Sequence, residues 1–202
     1  MTLSGSEIRS RFGQQLAASI EVHNAIDAIL PAIVQAAMLL VEAYGQGRKA
    51  LFFGNGGSAS DAQHLAAELT GRFSCERRPL PALALHANTS AVTAIGNDYG
   101  YDHIFSRQLT AFAQPGDVAV ALSTSGRSKN VLQALALRDQ LGIRTIALTS
   151  HSHDPSPMAP WSDVVLAVPS RETPRIQEAH ILIGHMLCDA IDQAALRAES
   201  KP

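Results

Sequence analysis

Short apolar runs alternate with longer stretches of helical spacing along most of the chain. Five runs predict buried strands, at residues 49–54, 81–85, 117–122, 144–149 and 163–168. Helical patterns separate these runs, at residues 60–72, about 90–95, 104–113, 128–141 and 175–198. Continuous apolar strands that alternate with helices are typical of a parallel sheet covered on both faces. We therefore predict an α/β fold with a five-stranded, doubly wound parallel sheet and a long C-terminal helix.

The N-terminal segment predicts helices that precede the sheet. Residues 5–47 are rich in Ala, Ile, Leu and Gln at helical spacing. Their most apolar part, residues 25–41, contains Asp27, Pro31 and Gln35. A buried amphipathic helix suits that composition better than a membrane span does.

Composition and charge mainly exclude classes of partner and compartment. The formal net charge is −2 with scattered Lys and Arg, which argues against nucleic acid and anionic membranes as partners. Cys75 and Cys188 lie far apart, and no secretory signal is visible, so we expect reduced thiols in a cytoplasmic protein. We expect residues 1–202 to form a single domain, with a helical extension at about 5–47 and the sheet with its helices at about 48–198.

Two glycine- and hydroxyl-rich turns follow the first and third predicted strands. The first is Asn55-Gly56-Gly57-Ser58, and the second is STSGRS, residues 123–128. Ligands of doubly wound sheets bind outside the carboxyl ends of the strands, and such turns hold anions through backbone N–H groups. Neither turn has the register of a nucleotide-binding motif, so together they predict a phosphate monoester site. Helix capping by the same residues is the alternative.

Three sets of polar side chains could supply further chemistry, and each is modest by itself. They are Asp61, His64 and Glu68 on the helix after the first turn; Asn97, Asp98 and His103; and Gln177, Glu178, His180 and His185 on the last helix. The alternatives are a solvated helix face, a turn with an Asx cap and a hydrogen-bonded core histidine, respectively. The sets would form a site only if the fold brings them together.

Four segments together resemble the phosphoheptose isomerase family of SIS-domain (sugar isomerase) proteins. They are GNGGSASDAQHLAAELTGRF, AIGNDYGYDHIFSRQL, ALSTSGRSKNV and PRIQEAHILIGHMLCDAI, and the similarity covers about residues 10–195. The resemblance implies a flavodoxin-like SIS fold and a homotetramer with active sites at subunit interfaces. It also implies conversion of sedoheptulose 7-phosphate to D-glycero-D-manno-heptose 7-phosphate through an enediol, in heptose biosynthesis for lipopolysaccharide or capsule.

The resemblance further implies a role for each matched residue. Glu68 and His185 would be the acid/base pair. Asp61 is not among the matched residues, and from its place one turn before His64 we expect it to tune His64 or hold a water. One Zn²⁺ per subunit would bind to four residues: His64, Glu68, Gln177 and His185. The substrate would contact Asn55, Gly56, Gly57, Ser58, Glu68, Asn97, Asp98, Ser123, Thr124, Ser125, Ser128 and Gln177.

Two alternatives stay open at this point. Gln177 and His185 are separated by ~12 Å of helix rise, more than one compact metal site spans. Either the helix begins irregularly near Pro174 or one ligand comes from a neighbouring chain. We favour the neighbouring chain.

The second alternative concerns function. A related SIS tetramer is an adaptor for the bacterial replication initiator and lacks the equivalents of Glu68 and His185. Their presence here favours the enzyme over the adaptor.

Overall fold

The computed structural model describes residues 3–199, and its five strands form one parallel sheet. The spatial order is β2-β1-β3-β4-β5. The strands are β1 (Ala50–Gly54), β2 (Ala82–Ala84), β3 (Val118–Leu122), β4 (Arg144–Ser150) and β5 (Val164–Val168). Order and direction confirm the predicted doubly wound sheet, and each strand lies within a residue or two of its expected position.

Eight α-helices lie among residues 3–199. They are α1 (Gly5–Ala25), α2 (Leu30–Gly45), α3 (Gly57–Thr70), α4 (Thr89–Tyr99), α5 (Ile104–Phe112), α6 (Lys129–Leu135), α7 (Arg138–Leu141) and α8 (Thr173–Glu199). Short 3-10 turns occur at Ile26–Ile29, Tyr101–His103 and Ala159–Trp161. The helix expected at 128–141 is in fact two helices. Leu137 N–H bonds to the Ala134 carbonyl three residues back, which tightens the chain between α6 and α7.

Two apolar cores cover the two faces of the sheet. The adjacent residues Phe52 and Phe53 of β1 point to opposite faces, as alternation along a strand requires. Phe52 belongs to the core formed with α2, α3 and α8, whereas Phe53 packs with Phe105 in the core under α5 and α6. The N-terminal extension contributes Ile26 and Ile33 to the first core.

The packing of α3 against α8 is unusually close at Gly184. A Cβ at this position would lie 2.5 Å from Leu65 Cδ2, and Leu65 is itself buried. Gly57 near the start of α3 likewise touches the Gln177 side chain near the start of α8. The two helices therefore run parallel on one face of the sheet, with corresponding ends together.

Helix α1 lies on the surface of the single chain. Within the described residues it buries no side chain completely, and Phe12, Leu16 and Ile20 are more than half exposed. Polar contacts attach it to α8, since Ser19 Oγ donates to Glu178 Oε2 at 2.8 Å. By length and composition alone, an 18-residue window within residues 5–45 could cross a membrane, although core helices also pass that test. Only 22% of that window is buried within the chain.

We predict that Gly184→Ala destabilises the protein, because the new methyl group would overlap the buried Leu65 side chain. Overpacking of this kind costs about 1–3 kcal/mol in the free energy of unfolding. Urea unfolding measures the change. The matched control is Gly45→Ala in α2, where an added Cβ has no neighbour within 4 Å. Equal stability of Gly184→Ala and the wild type would contradict this account of the helix contact.

Candidate active site

The turn after β1 is shaped by three glycines that lead into α3. A Cβ on Gly54 would lie 2.7 Å from the Leu122 carbonyl oxygen, so β1 and β3 can end side by side only without a side chain here. Gly56 has a φ of +56°, in the left-handed region that favours glycine. It occupies the N-cap of α3 and provides no side chain to cap the helix. Gly56 thus takes the N-cap position that the capping alternative assigns to this turn, although no side-chain hydrogen bond caps α3.

The turn after β1 is joined to the start of α6 by a pair of side-chain amides. Asn55 Nδ2 donates to Asn130 Oδ1 and Asn130 Nδ2 donates to Asn55 Oδ1, both at 2.9 Å. The Tyr101 hydroxyl donates to Asn55 Oδ1 at 3.0 Å. Asn130 is buried, so the orientation of both amides is fixed. Sequence reasoning missed Asn130 and Tyr101, although Asn130 lies only two residues after STSGRS.

The STSGRS turn gathers hydroxyl groups at the end of β3. Ser123 Oγ lies 3.2 Å from Ser128 Oγ, and Ser123 is buried. Ser128 is the N-cap of α6, yet within residues 3–199 its side chain makes no capping hydrogen bond. Ser150, the last residue of β4, stabilises the turn, because its Oγ donates to the Thr124 carbonyl at 2.6 Å. Ser125 is exposed. The hydroxyls of Ser123 and Ser128 thus face one another rather than capping the helix.

A histidine–glutamate–histidine cluster lies where α3 and α8 pack together. His64 Nε2 lies 3.0 Å from Glu68 Oε1 and 3.1 Å from His185 Nε2. One ligand atom of each of the three residues lies within 4.8 Å of the others. Two imidazoles and a carboxylate are a donor set that zinc accepts. The cluster therefore fits the metal that the resemblance implies, and it brings the two predicted acid/base residues together.

Comparison with known proteins identifies the family of this chain. A family model described as the SIS domain matches residues 12–150. The phosphoheptose isomerase of Geotalea daltonii is 56% identical over 163 residues, which are 81% of this chain and 84% of that protein. The phosphoheptose isomerase of Citrifermentans bemidjiense is 54% identical over 180 residues, 89% of this chain and 93% of the relative. The chain belongs to the phosphoheptose isomerase family.

Solved structures of the phosphoheptose isomerase family have the same fold. The enzyme from Neisseria gonorrhoeae superposes with a TM-score of 0.85 at 44% identity, covering 92% of this chain and 99% of its own. The protein from Francisella tularensis superposes with a TM-score of 0.83 at 39% identity, covering 95% of this chain and all of the other. These similarities confirm both the resemblance and the predicted SIS architecture.

Gln177 lies apart from the other metal ligands expected from the family. Its carboxamide packs against Gly57 at the start of α3, whereas His64 lies ~10 Å of helix rise further along. Helix α8 is regular from Thr173 onward, so the irregular start near Pro174 that would have closed the gap is absent. Within one chain, the structure brings His64, Glu68 and His185 together, but not Gln177.

Asn97 and Asp98 lie in the last turn of α4 and are exposed. The expected alternative, a turn with an Asx cap, is wrong at these positions. Asn88 caps α4 instead, and Gly100 ends it with a φ of +91°. Asn97 Nδ2 donates to Asp98 Oδ1 at 2.7 Å. The following Tyr101 reaches Asn55, so this segment of the phosphoheptose isomerase fold adjoins the turn after β1.

Asp61 lies one helical turn before His64 and is half-buried. Burial raises the pKa of its carboxyl group, and the nearby His64 opposes that shift. Its Oδ2 atom forms no hydrogen bond with any described residue. An unpaired buried oxygen beside the cluster supports the prediction that Asp61 tunes His64 or holds a water.

Two histidines of α8 have contrasting environments. His180 is fully buried, its Nε2 lies 3.0 Å from the Thr149 carbonyl, and burial lowers its pKa to about 4. His185, five residues further along, reaches His64 and Glu68. His180 is therefore the hydrogen-bonded core histidine expected as the alternative, whereas His185 belongs to the cluster.

We predict that His180 makes the free energy of unfolding depend on pH. Its pKa is lower in the folded state, so the unfolded chain binds more protons between pH 4 and 6.5 and stability falls as pH drops through this window. For this one group the loss is about 2 kcal/mol between pH 7 and pH 5. Urea unfolding at both values should show a smaller loss in His180→Gln, which cannot ionise. An identical loss in both proteins would contradict the prediction.

Proposed function

We propose that this protein interconverts sedoheptulose 7-phosphate and D-glycero-D-manno-heptose 7-phosphate, in heptose biosynthesis for lipopolysaccharide or capsule. The observation that carries the proposal is the convergence of Glu68 and His185, from two different helices, in a chain of the phosphoheptose isomerase family. The adaptor alternative has no comparable support, since the relatives named above are isomerases.

The hydroxyl-rich turns would bind the phosphate, and the neighbouring polar groups would bind the sugar. Hydroxyl and backbone N–H donors at the start of a helix can hold a dianion without a fixed cation. The residues proposed for the phosphate are Ser58, Ser123, Thr124, Ser125 and Ser128. Those proposed for the sugar are Asn55, Gly56, Gly57, Glu68, Asn97, Asp98 and Gln177. The Asn55–Asn130 pair supports this arrangement because it joins the two turns.

Isomerisation moves one proton between C1 and C2 and another between O1 and O2. We assign the carbon proton to the Glu68 carboxylate, which removes it from one carbon and returns it to the other through an enediol. We assign the oxygen proton to the imidazole of His185, which donates a proton to the carbonyl oxygen as the enediol forms and then recovers one from the other oxygen as the enediol collapses. Each positioned proton transfer contributes typically ~10²–10⁴-fold to the rate.

His64, Glu68 and His185 would also hold a zinc ion, one per subunit. Zinc bound here would supply Lewis-acid polarisation of the sugar oxygens. An atom that ligates a metal cannot transfer a proton at the same time. The proposal therefore assigns proton transfer to Glu68 and His185 only while their reacting atoms are free of the metal.

We infer a cytoplasmic homotetramer whose active sites lie at subunit interfaces, with no nucleic-acid or membrane partner. The exposed apolar side chains of α1 and of Val34 and Met38 on α2 support this assembly, because contact with another subunit would remove them from water. The position of Gln177 supports it as well. If Gln177 ligates the metal, it must approach the cluster from a neighbouring chain.

The test of the proposed chemistry is a coupled assay of sedoheptulose 7-phosphate turnover. We expect Glu68→Gln and His185→Ala each to lower kcat by ~10²–10⁴-fold, because each removes one proton carrier. The matched controls are Glu76→Gln and His151→Ala, which alter exposed residues outside the cluster and should retain activity. Undiminished turnover in both site variants would refute the mechanism.

Co-expression of two inactive variants tests the shared site. Gln177→Ala and His185→Ala should each be inactive alone. In a mixed oligomer, some sites combine an intact His185 from one chain with an intact Gln177 from its neighbour, so we expect activity to return. The measurement is turnover per subunit of the purified mixed oligomer. Failure to recover activity despite mixed assembly would place both residues in one chain.

A further inference from the structure

The segment between α3 and β2 is fixed to α8 by a buried ion pair. Arg77 Nε donates to Asp192 Oδ1 at 2.6 Å, and both side chains are fully buried. The other carboxylate oxygen accepts from the backbone N–H groups of Ser74 at 3.0 Å and Cys75 at 3.3 Å. Both oxygens of Asp192 are therefore used to hold this one segment.

The same arginine holds the end of the helix that carries Glu68. Arg77 Nη2 donates to the Glu68 carbonyl at 3.0 Å, and Nη1 donates to the Leu69 carbonyl at 3.0 Å. Nη1 also reaches the carbonyls of Gly71 and Arg78. Carbonyls at the end of a helix lack partners within the helix, and a guanidinium satisfies several of them in a fixed geometry. The end of α3 is thereby tied to α8 through one planar group.

Phe73 belongs to this segment and covers His185. The two ring centroids are 5.2 Å apart, and the rings are nearly stacked, at 30°. The His185 imidazole also contacts the His64 ring, with centroids 5.2 Å apart and the ring planes inclined at 49°. Phe73 directly precedes Ser74 and Cys75, whose N–H groups bond to Asp192. The imidazole thus contacts both a cluster residue and an aromatic ring that directly precedes two anchored backbone groups.

We propose that Phe73 is a positioning residue for His185, held in place by the Arg77–Asp192 pair. The Phe73 ring limits the orientations of the imidazole, so that Nε2 stays directed toward His64 and Glu68. The inference rests on the proposed function in one respect, that His185 transfers a proton. A buried ion pair is an inefficient means of stabilisation, because desolvation offsets most of its attraction. Its contribution here is geometric, since it fixes Glu68 and Phe73 relative to the same helix.

The effect should be on chemistry rather than on substrate binding. A displacement of about 1 Å in a reacting group can cost about 10²-fold in rate. The hydroxyl-rich turns that would bind the phosphate lie at the other end of α3 and make no hydrogen bond to Phe73, Arg77 or Asp192 among those described for residues 3–199. Loss of the Phe73 ring should therefore lower kcat and leave KM nearly unchanged.

Phe73→Leu tests the inference directly, because it removes the ring and leaves the Arg77–Asp192 pair intact. We expect kcat to fall by about 10- to 100-fold with KM within about threefold. Phe73→Tyr should restore kcat because it keeps the stacked ring. Cys75→Ala is the matched control: it removes the thiol contact with Asp192 in the same segment but keeps the backbone N–H bond. NMR of selectively labelled histidine should show orientational averaging of the His185 ring only in Phe73→Leu.

The outcomes separate this inference from the proposed function. Wild-type kcat in Phe73→Leu, or a His185 ring as ordered as in the wild type, would overturn the positioning role. An equal loss of kcat in Cys75→Ala would also overturn it, because the effect would then belong to the segment as a whole. If the wild type does not turn over sedoheptulose 7-phosphate, the proposed function fails, and the NMR comparison still decides whether Phe73 orients His185.

Discussion

The parallel packing of α3 on α8 is the constraint on which the candidate site depends. Gly184 allows the helices to approach until Leu65 fills the space that a side chain would occupy. Gln177 on Gly57 fixes the starting ends of the helices, and the Arg77–Asp192 pair fixes the far ends. These two contacts fix the register of α8 along α3, and in this register His185 faces His64 and Glu68. A slip of one helical turn, about 5.4 Å, would separate the cluster.

Sequence patterns predicted the parts of this arrangement that are local. Apolar runs located the strands, and the i, i+4 spacing put His64 and Glu68 on one face of α3. Which α8 histidine would join them depends on helix register, which periodicity does not encode. The ion pair of Arg77 and Asp192 was not predicted either. In the sequence both are ordinary charged residues, and only the fold shows that they are buried together.

The described chain contains only part of the site that family membership predicts. Three of the four expected metal ligands meet within one chain, and the fourth is held at the start of α3. The most exposed apolar side chains belong to α1 and α2, and α1 is attached to the start of α8, beside Gln177, by Ser19 and Glu178. The exposed apolar surface and the expected ligand Gln177, which lies apart from the cluster, are therefore close together in the fold. A single assembly would account for both.

Helix α3 also sets the distance between the two ends of the proposed substrate. Its first turn carries Ser58, proposed for the phosphate, and its last turns carry Glu68, proposed for the reacting carbons. These residues are separated by ~15 Å of helix rise. A sugar with its phosphate on C7 places charge and reacting carbons at opposite ends of a long chain. If Ser58 binds the phosphate and Glu68 takes the carbon proton, the substrate must span this helix, and a shorter sugar phosphate held at the turns would not reach Glu68.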